Sequence, residues 1–422
     1  MTTIIENTTN TNIIENEKLI DLNYQKPNIH ETSIIGKALI DHITKIDHEE
    51  CEAGDEDSFF VCDLNQIIKN VEIWKTFLPR IQPHYAIKCN TNIKVIKLLY
   101  ELGVNFDCAS KNEIDTILNL GFEPSKIVYA NPCKTNSFIR HAKTNNVNLT
   151  TVDNVDELYK LSKFHSNCQI LIRIMTDDED AQCRLSTKFG CDLNVATEQI
   201  LPIAKKLGLN VVGVAFHVGS GAKDFTSIYK AIRDSRILFD FGIKLGFKMN
   251  VLDIGGGFEF ETFLESSKVV NYSIDEFFPS NDIKLIAEPG RFMVANAFTL
   301  ATHIIAKRSL PKNIGGINSM IYINDGVYGN MNCILFDHQT PLAFVLKNKD
   351  GYHYMERELK TLQSYSIWGP TCDGLDCVSS KTVLSYEVEV GDWLYFPNLG
   401  AYTSCATTQF NGFKNDTKII YV

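Results

Sequence analysis

No stretch of the sequence approaches the roughly 18 apolar residues that a membrane-crossing helix requires, which excludes a helical membrane protein. The N-terminus has no basic region followed by an apolar core, so it does not read as a secretory signal. The 12 cysteines include no Cys-x-x-Cys pair and no His/Cys cluster at zinc spacing, and neither a metal ribbon nor a disulfide framework is expected. They read as the reduced thiols of a cytoplasmic protein. Lys and Arg number 41 against 51 Asp and Glu, a net charge of −10 that lacks the basic footprint of a nucleic-acid binder. No Gly-x-Gly-x-x-Gly opens a helix, so the dinucleotide fingerprint is missing as well. There is no internal repeat and no low-complexity linker.

What remains is an ordinary globular composition, 44% hydrophobic and 22% charged, over 422 residues, enough for two domains. Residues 1–28 are Asn/Thr-rich and polar and are expected to be disordered. Residues 29–58 hold one helical stretch, SIIGKALIDHITKI, followed by an acidic loop. From Phe59 short apolar runs alternate with amphipathic ones. Eight strand candidates stand out: HYAIK, VNFDCAS, KIVYAN, VNLTTVD, QILIRI, VVGVAFHV, MNVLDIG and IKLIAEP. The intervening IKVIKLLYELG and NEIDTILNLG close on glycine, as helix C-caps do. Strict alternation makes a parallel sheet, and eight units over roughly 240 residues have the size of a closed (β/α)₈ barrel. The same pattern permits an open doubly wound sheet. From Phe298 strands follow one another without helices. The reading is a barrel over 59–297 and a C-terminal antiparallel β domain over 298–422, completed by 29–58.

Barrel enzymes carry their chemistry at the C-terminal ends of the strands. Those ends hold Lys88, Asp107, Asn131, Asp153, Arg173, His217, Gly255–Gly257, and Glu288 with Arg291. Each alone has a bland reading: a strand-end lysine is usually a surface residue, and a lone histidine is usually a satisfied core residue. Their joint occurrence at equivalent places makes a candidate site. Lys88 follows Tyr85-Ala86-Ile87, so desolvation would lower its pKa and make it a nucleophile toward an aldehyde. A carboxylate such as Asp107 would instead keep it charged. DIGGGF and HVGSG are loops whose backbone N–H groups can approach an anion closely, and with Arg291 they form a phosphate cup. A lysine, a phosphate cup and an acid, Glu288, in one barrel mouth point to pyridoxal 5'-phosphate. Glu288 would hold its ring nitrogen protonated, and His217 would lie against the ring.

These motifs resemble those of the eukaryotic ornithine decarboxylases, of the alanine-racemase-like fold class, from about Phe59 to Phe413. In that family YAIKCN carries the lysine joined covalently to the cofactor, here Lys88. FDCAS (Asp107), LIRI (Arg173), FHVGSG (His217, Ser220), DIGGGF (Gly255, Gly256, Gly257) and EPGRF (Glu288, Pro289, Gly290, Arg291) match in order. GAYT implies Tyr402 at the cofactor phosphate. YGNMNCILFDH resembles the substrate segment, implying that Asp337 binds the distal amine, with Phe336 where many relatives have Tyr. WGPTCDGLDC implies that Cys372 and Asp373 are lent to the other subunit's site, and FNGF places Phe410 beside it.

The resemblance implies L-ornithine as substrate, with putrescine and CO₂ as products in the first step of polyamine biosynthesis. It implies a cytoplasmic homodimer with two shared sites, Cys372 as the general acid toward Cα, and a Lys188–Asp376 pair across the interface. An inhibitory protein, antizyme, docks on a basic region in that family, and Lys134, Arg140, His141 and Lys143 form such a stretch. The chain ends soon after Phe413 without the long degradation-signalling tail of vertebrate members, so tail-driven turnover is not expected.

Two other readings compete. A sister decarboxylase would act on lysine, arginine or diaminopimelate. Diaminopimelate needs a cation for its distal carboxylate, which Asp337 and Asp373 do not offer. Lysine differs by one methylene, worth only about 1–3 kcal/mol of discrimination. A catalytically dead relative that sequesters a protein inhibitor would have lost cofactor or substrate residues. Here Lys88, Asp107, Arg173, Glu288, Asp337, Cys372, Asp373 and Tyr402 are all present.

Overall fold

The computed structural model describes residues 33–177, 181–182, 185–221, 224–314, 316–356, 363–413 and 416–422. The Asn/Thr-rich stretch 1–28 lies outside them. The first strand, β1 (Phe59–Cys62), does not enter the barrel. Eight parallel strands then close on themselves: β2 (Ile81–Ala86), β3 (Asn105–Cys108), β4 (Ile127–Tyr129), β5 (Leu149–Val152), β6 (Gln169–Arg173), β7 (Asn210–Ala215), β8 (Val251–Asp253) and β9 (Lys284–Ala287). Closure is set by β2, which pairs in parallel with both β3 and β9. The open-sheet alternative is thereby removed.

Local chemistry fixes where the helices between these strands begin and end. Asn92 caps the helix Ile93–Glu101 by accepting from the N–H groups of Lys94 and Val95, and the chain leaves that helix through Gly103 at φ 82°. Ser110 caps Lys111–Asn119 in the same way, through the Glu113 N–H. Inside the barrel, Val128, Leu171, Val212, Ala215, Val251 and Ile286 pack into a small aliphatic plug. A buried side chain of this type stabilises the fold by about 1.5–3 kcal/mol. The barrel is therefore a filled core, and room for chemistry is left only at its mouth.

The second layer is a nine-stranded sheet. It runs in the order β13 (Gly351–Tyr352), β12 (Phe344–Asn348), β16 (Trp393–Phe396), β10 (Phe298–Ile314), β11 (Ile317–Ile323), β14 (Gln363–Trp368), β15 (Cys377–Leu384). Strand β1 joins it antiparallel to β10, and β17 (Lys418–Tyr421) pairs in parallel with β1. The pairing of β11 with β14 is also parallel, so the sheet is mixed and mostly antiparallel rather than purely antiparallel as the strand pattern suggested. The helix Ile34–Ile43 packs Leu39 and Ile43 against Phe59, Ala301 and Trp393, tying the segment before β1 to this sheet.

Candidate active site

Lys88 sits in a single helical turn, Ile87–Cys89, just beyond β2. Its neighbours Ile87 and Cys89 are buried, while the lysine side chain is 43% exposed in the barrel mouth. Its ammonium is paired with the Asp107 carboxylate of β3, which is fully buried. Burial by itself would lower the lysine's pKa. Asp107, followed by Tyr402 and Glu288, outweighs it, and the net shift is upward. Of the two possibilities that the sequence left open, the charged one is realised.

Two more acids stand behind this pair. Asp253 ends β8, is fully buried, and accepts the Gly255 N–H at 2.9 Å on one oxygen. Its other oxygen has no partner. Burial raises its pKa, with the Gly255 N–H and a hydrogen bond with Glu288 acting in the opposite direction. Glu288, just past β9, is raised further, by burial first and then by the charges of Asp253 and Asp107. Two such carboxyls share one proton rather than ionising together. Arg173, at the end of β6, and Lys88 are the cations whose charge favours ionisation of Glu288. His217 follows β7. Burial holds it at about 3, helped by the positive charges of Arg173 and Lys88, so the ring is neutral. Its Nδ1 accepts the Gly219 N–H at 3.0 Å, which leaves the proton on Nε2.

The glycine loops meet beside His217. A Cβ on Gly256 would stand 2.8 Å from the His217 ring and 2.7 Å from the Glu288 carbonyl oxygen. One on Gly257 would stand 2.1 Å from the Gly219 carbonyl, and its φ is +95°. Only glycine permits the two loops and the His217 ring to pack this closely. Ser220 lies in the facing loop between Gly219 and Gly221, at φ 80° and 72°. Pro289 accepts the Ala86 N–H at 3.1 Å, docking the Glu288–Arg291 turn onto β2. A Cβ on Gly290 would contact Cys89 and the Tyr402 hydroxyl, so this glycine lets Tyr402 reach in. The Tyr402 N–H donates to the Cys89 carbonyl at 2.9 Å, and the Arg291 guanidinium lies 5.4 Å from its ring.

The residues present fit pyridoxal phosphate on three counts. The glycine cradle and Arg291 suit a phosphate. The Asp253–Glu288 pair, two buried carboxyls that share a proton, suits a ring nitrogen that can take that proton up. Lys88 suits an aldehyde. Residues 64–295 match the family described as pyridoxal-dependent decarboxylase, pyridoxal binding domain. This chain belongs to that family. It is 60% identical to the ornithine decarboxylase of Candida albicans over 92% of its own length and 88% of the relative's. It is 53% identical to that of Saccharomyces cerevisiae, over 92% and 86%. Among solved structures it is similar to the Paramecium bursaria Chlorella virus arginine decarboxylase bound to agmatine. That match has a TM-score of 0.83 and 33% identity, and covers 91% of this chain and all of that one.

Other expected residues of this decarboxylase fall into a second group or outside both. Asp337, at the end of the helix Cys333–Phe336, is buried and paired with Arg291, which also stands 3.5 Å from Glu259. Phe336 beside it is 65% exposed. Cys372 is exposed, and its N–H donates to Asn411 at 2.9 Å. The Asp373 carboxylate accepts from the Tyr328 hydroxyl, and Tyr328 stacks on Phe410 at 4.5 Å. The hydrogen bonds of this surface group run to Tyr328 and Asn411 rather than into the Lys88 cluster. Asp376 is 1% exposed and accepts from Val327 N–H, Thr371 N–H and Thr371 O–H, so its carboxylate is already largely engaged within its own chain.

Three strand-end or basic residues do other work. Asn131 donates to the Ala109 carbonyl and accepts the Cys133 N–H, and Asp153 accepts the Gly190 N–H. Both brace loops. Lys134 is no surface cation: it is 4% exposed, donates to the Asn131 and Thr151 carbonyls, and pairs with Glu157 at 3.1 Å. Sequence reasoning missed Asp253 as the partner of Glu288, although it directly precedes the triple glycine, and Tyr328, although it opens the substrate motif.

Asp107→Asn removes the charge that overrides burial, so the Lys88 amine should lose its proton at lower pH. The pH profile of acetic anhydride labelling at Lys88 in cofactor-stripped protein, read by peptide mass spectrometry, checks this. The profile should move to lower pH; an unmoved profile would contradict it.

Proposed function

We infer that this protein is a pyridoxal-phosphate-dependent decarboxylase that converts L-ornithine to putrescine and CO₂, opening polyamine synthesis. The observation that carries the reading is Lys88 paired with Asp107 above the glycine cradle, in a chain 60% identical to an ornithine decarboxylase over nearly its whole length. The sister reading on arginine has weaker support, since the arginine decarboxylase is 33% identical. The dead-relative reading is opposed by a complete cofactor and substrate set.

Gly255–Gly257, Ser220, Arg291 and Tyr402 would hold the phosphate, Glu288 the ring nitrogen, and Lys88 the aldehyde carbon. When bound, the cofactor supplies an electron sink for the pair left on Cα as CO₂ departs. Glu288 keeps the proton at the ring nitrogen, and its burial against Asp253 keeps that proton from solvent. Asp107 holds the Lys88 amine protonated until it is needed. Neutral His217 borders the ring without adding charge. Arg291 pairs with Asp337 through one terminal nitrogen and has further N–H donors for a phosphate, while Asp337 would take the substrate's distal ammonium. Two carboxylates, Asp337 and Asp373 of the partner subunit, then offset the cost of desolvating that cation. Phe336 and Phe410 flank the entrance, and Cys372 of the partner subunit delivers the proton to Cα.

This arrangement makes a homodimer with two shared sites, because Cys372 and Asp373 face outward on their own chain. A Lys188–Asp376 pair would add to that interface. Free thiols at all described cysteines, and the absence of a membrane-crossing helix among the described residues, support a cytoplasmic location. Antizyme docking would rest on Arg140 and Lys143 alone, since Lys134 is buried and His141 is paired with Asp115 at 2.6 Å.

Release of CO₂ should be at least about tenfold faster, in kcat/KM, from ornithine than from lysine, as one methylene allows. Comparable values would overturn the substrate assignment. Lys88→Ala and Cys372→Ala chains, each inactive, should recover about one quarter of wild-type activity when mixed as dissociable dimers, because half the dimers then carry one intact site. No recovery would place Lys88 and Cys372 in the same chain's site.

A further inference from the structure

Outside the barrel, three side chains with metal-ligating atoms converge on the nine-stranded sheet. His48 and Glu56 come from the segment before β1, and His303 from β10. One ligand atom from each lies within 4.8 Å of the other two. Glu56 Oε2 is 2.6 Å from His48 Nδ1 and 3.4 Å from His303 Nδ1. The donors of a tetrahedral zinc ion lie about 3.3 Å apart, so shifts of a few tenths of an ångström to about an ångström would complete the set. Both imidazoles present Nδ1 to the same carboxylate; they are stacked, 15° apart with centroids at 4.7 Å, so one ring must also turn about its Cβ–Cγ bond to bring both lone pairs onto one ion.

The surroundings hold these groups in place. Asn324 donates to the Glu56 carbonyl at 2.6 Å and accepts the His303 N–H at 2.8 Å, so one amide fixes the backbone of two of the three. Trp393 walls the pair, its ring 5.2 Å from His303. His303 is 8% exposed, and its Nε2 finds no hydrogen-bond partner. Hydrogen bonding therefore does not explain why a histidine stands at this position. His48 and Glu56 side chains are 25% and 35% exposed, which leaves a route for an ion and a position for water.

We propose that His48, Glu56 and His303 bind a divalent transition metal of the zinc class and so fasten residues 33–58 to the sheet. Two imidazoles and one carboxylate select a borderline ion over calcium or magnesium, which prefer oxygen alone. On binding, the proton that His48 Nδ1 shares with Glu56 moves to His48 Nε2. The cost is a long 3.4 Å contact that Trp393 donates to that atom.

Holoenzyme dialysed against a chelator is titrated with Zn²⁺ by calorimetry and with Co²⁺ for its visible absorption. One Zn²⁺ per chain, a raised Tm and a four-coordinate Co²⁺ spectrum are expected. His48→Gln and Glu56→Gln, both at partly exposed positions, should each weaken binding at least about tenfold and abolish the rise in Tm. No Zn²⁺ binding would overturn the proposal and leave a hydrogen-bonded triad. Equal binding by wild type and both variants would also overturn it, assigning the ion to other groups such as the exposed Cys133 or Cys372.

Discussion

The ion pair between Lys88 and Asp107 organises the mouth of the barrel. Asp107 is fully buried on β3, one strand over from the turn that carries the lysine, and one of its oxygens has no other partner. Losing the lysine would leave the fully buried Asp107 carboxylate uncompensated, which costs more than the pair itself contributes. Around it the charges do not balance. Among the described residues, Lys88 and Arg173 are the cations that act on Asp253 and Glu288, and burial with mutual repulsion favours a proton shared between those two carboxyls. A pyridine nitrogen beside Glu288 would take up that proton and leave the charge of the site balanced.

The same economy of charge runs through the substrate side. Arg291 is paired with Asp337, so the residue expected at the phosphate and the residue expected at the distal ammonium stand side by side with opposite charge. Cys372, Asp373 and Phe410 form a separate surface group held by Tyr328 and Asn411. On the reading proposed above, this group would complete the Lys88 site of a second copy of the chain.

Much of this was legible from residue pattern because barrels put chemistry at one repeated place. The runs ending near Lys88, Asp107, Arg173, His217, Gly255 and Glu288 could be aligned by strand position alone, and the closed β2–β9 pairing puts them round one mouth. Position did not separate Asn131 and Asp153 from the others, since a strand-end amide or acid can equally well brace the next loop, as these two do. Lys134 looked like part of a basic helix face, but tertiary packing turns its stem inward to Glu157. Asp253 escaped notice because its significance lies in a neighbour 35 positions later, brought beside it only when β8 pairs with β9. Parallel pairing in the second sheet was hidden for a similar reason: partners such as β11 and β14 are remote in sequence.

The covalent role of Lys88 is tested most directly by reducing the purified holoenzyme with borohydride and mapping the modified peptide by mass spectrometry. The account predicts a reduced pyridoxyl group on Lys88 and no other lysine, with loss of the visible absorption band. A label on a different lysine, or an enzyme that keeps its activity with Lys88 unmodified throughout, would contradict it.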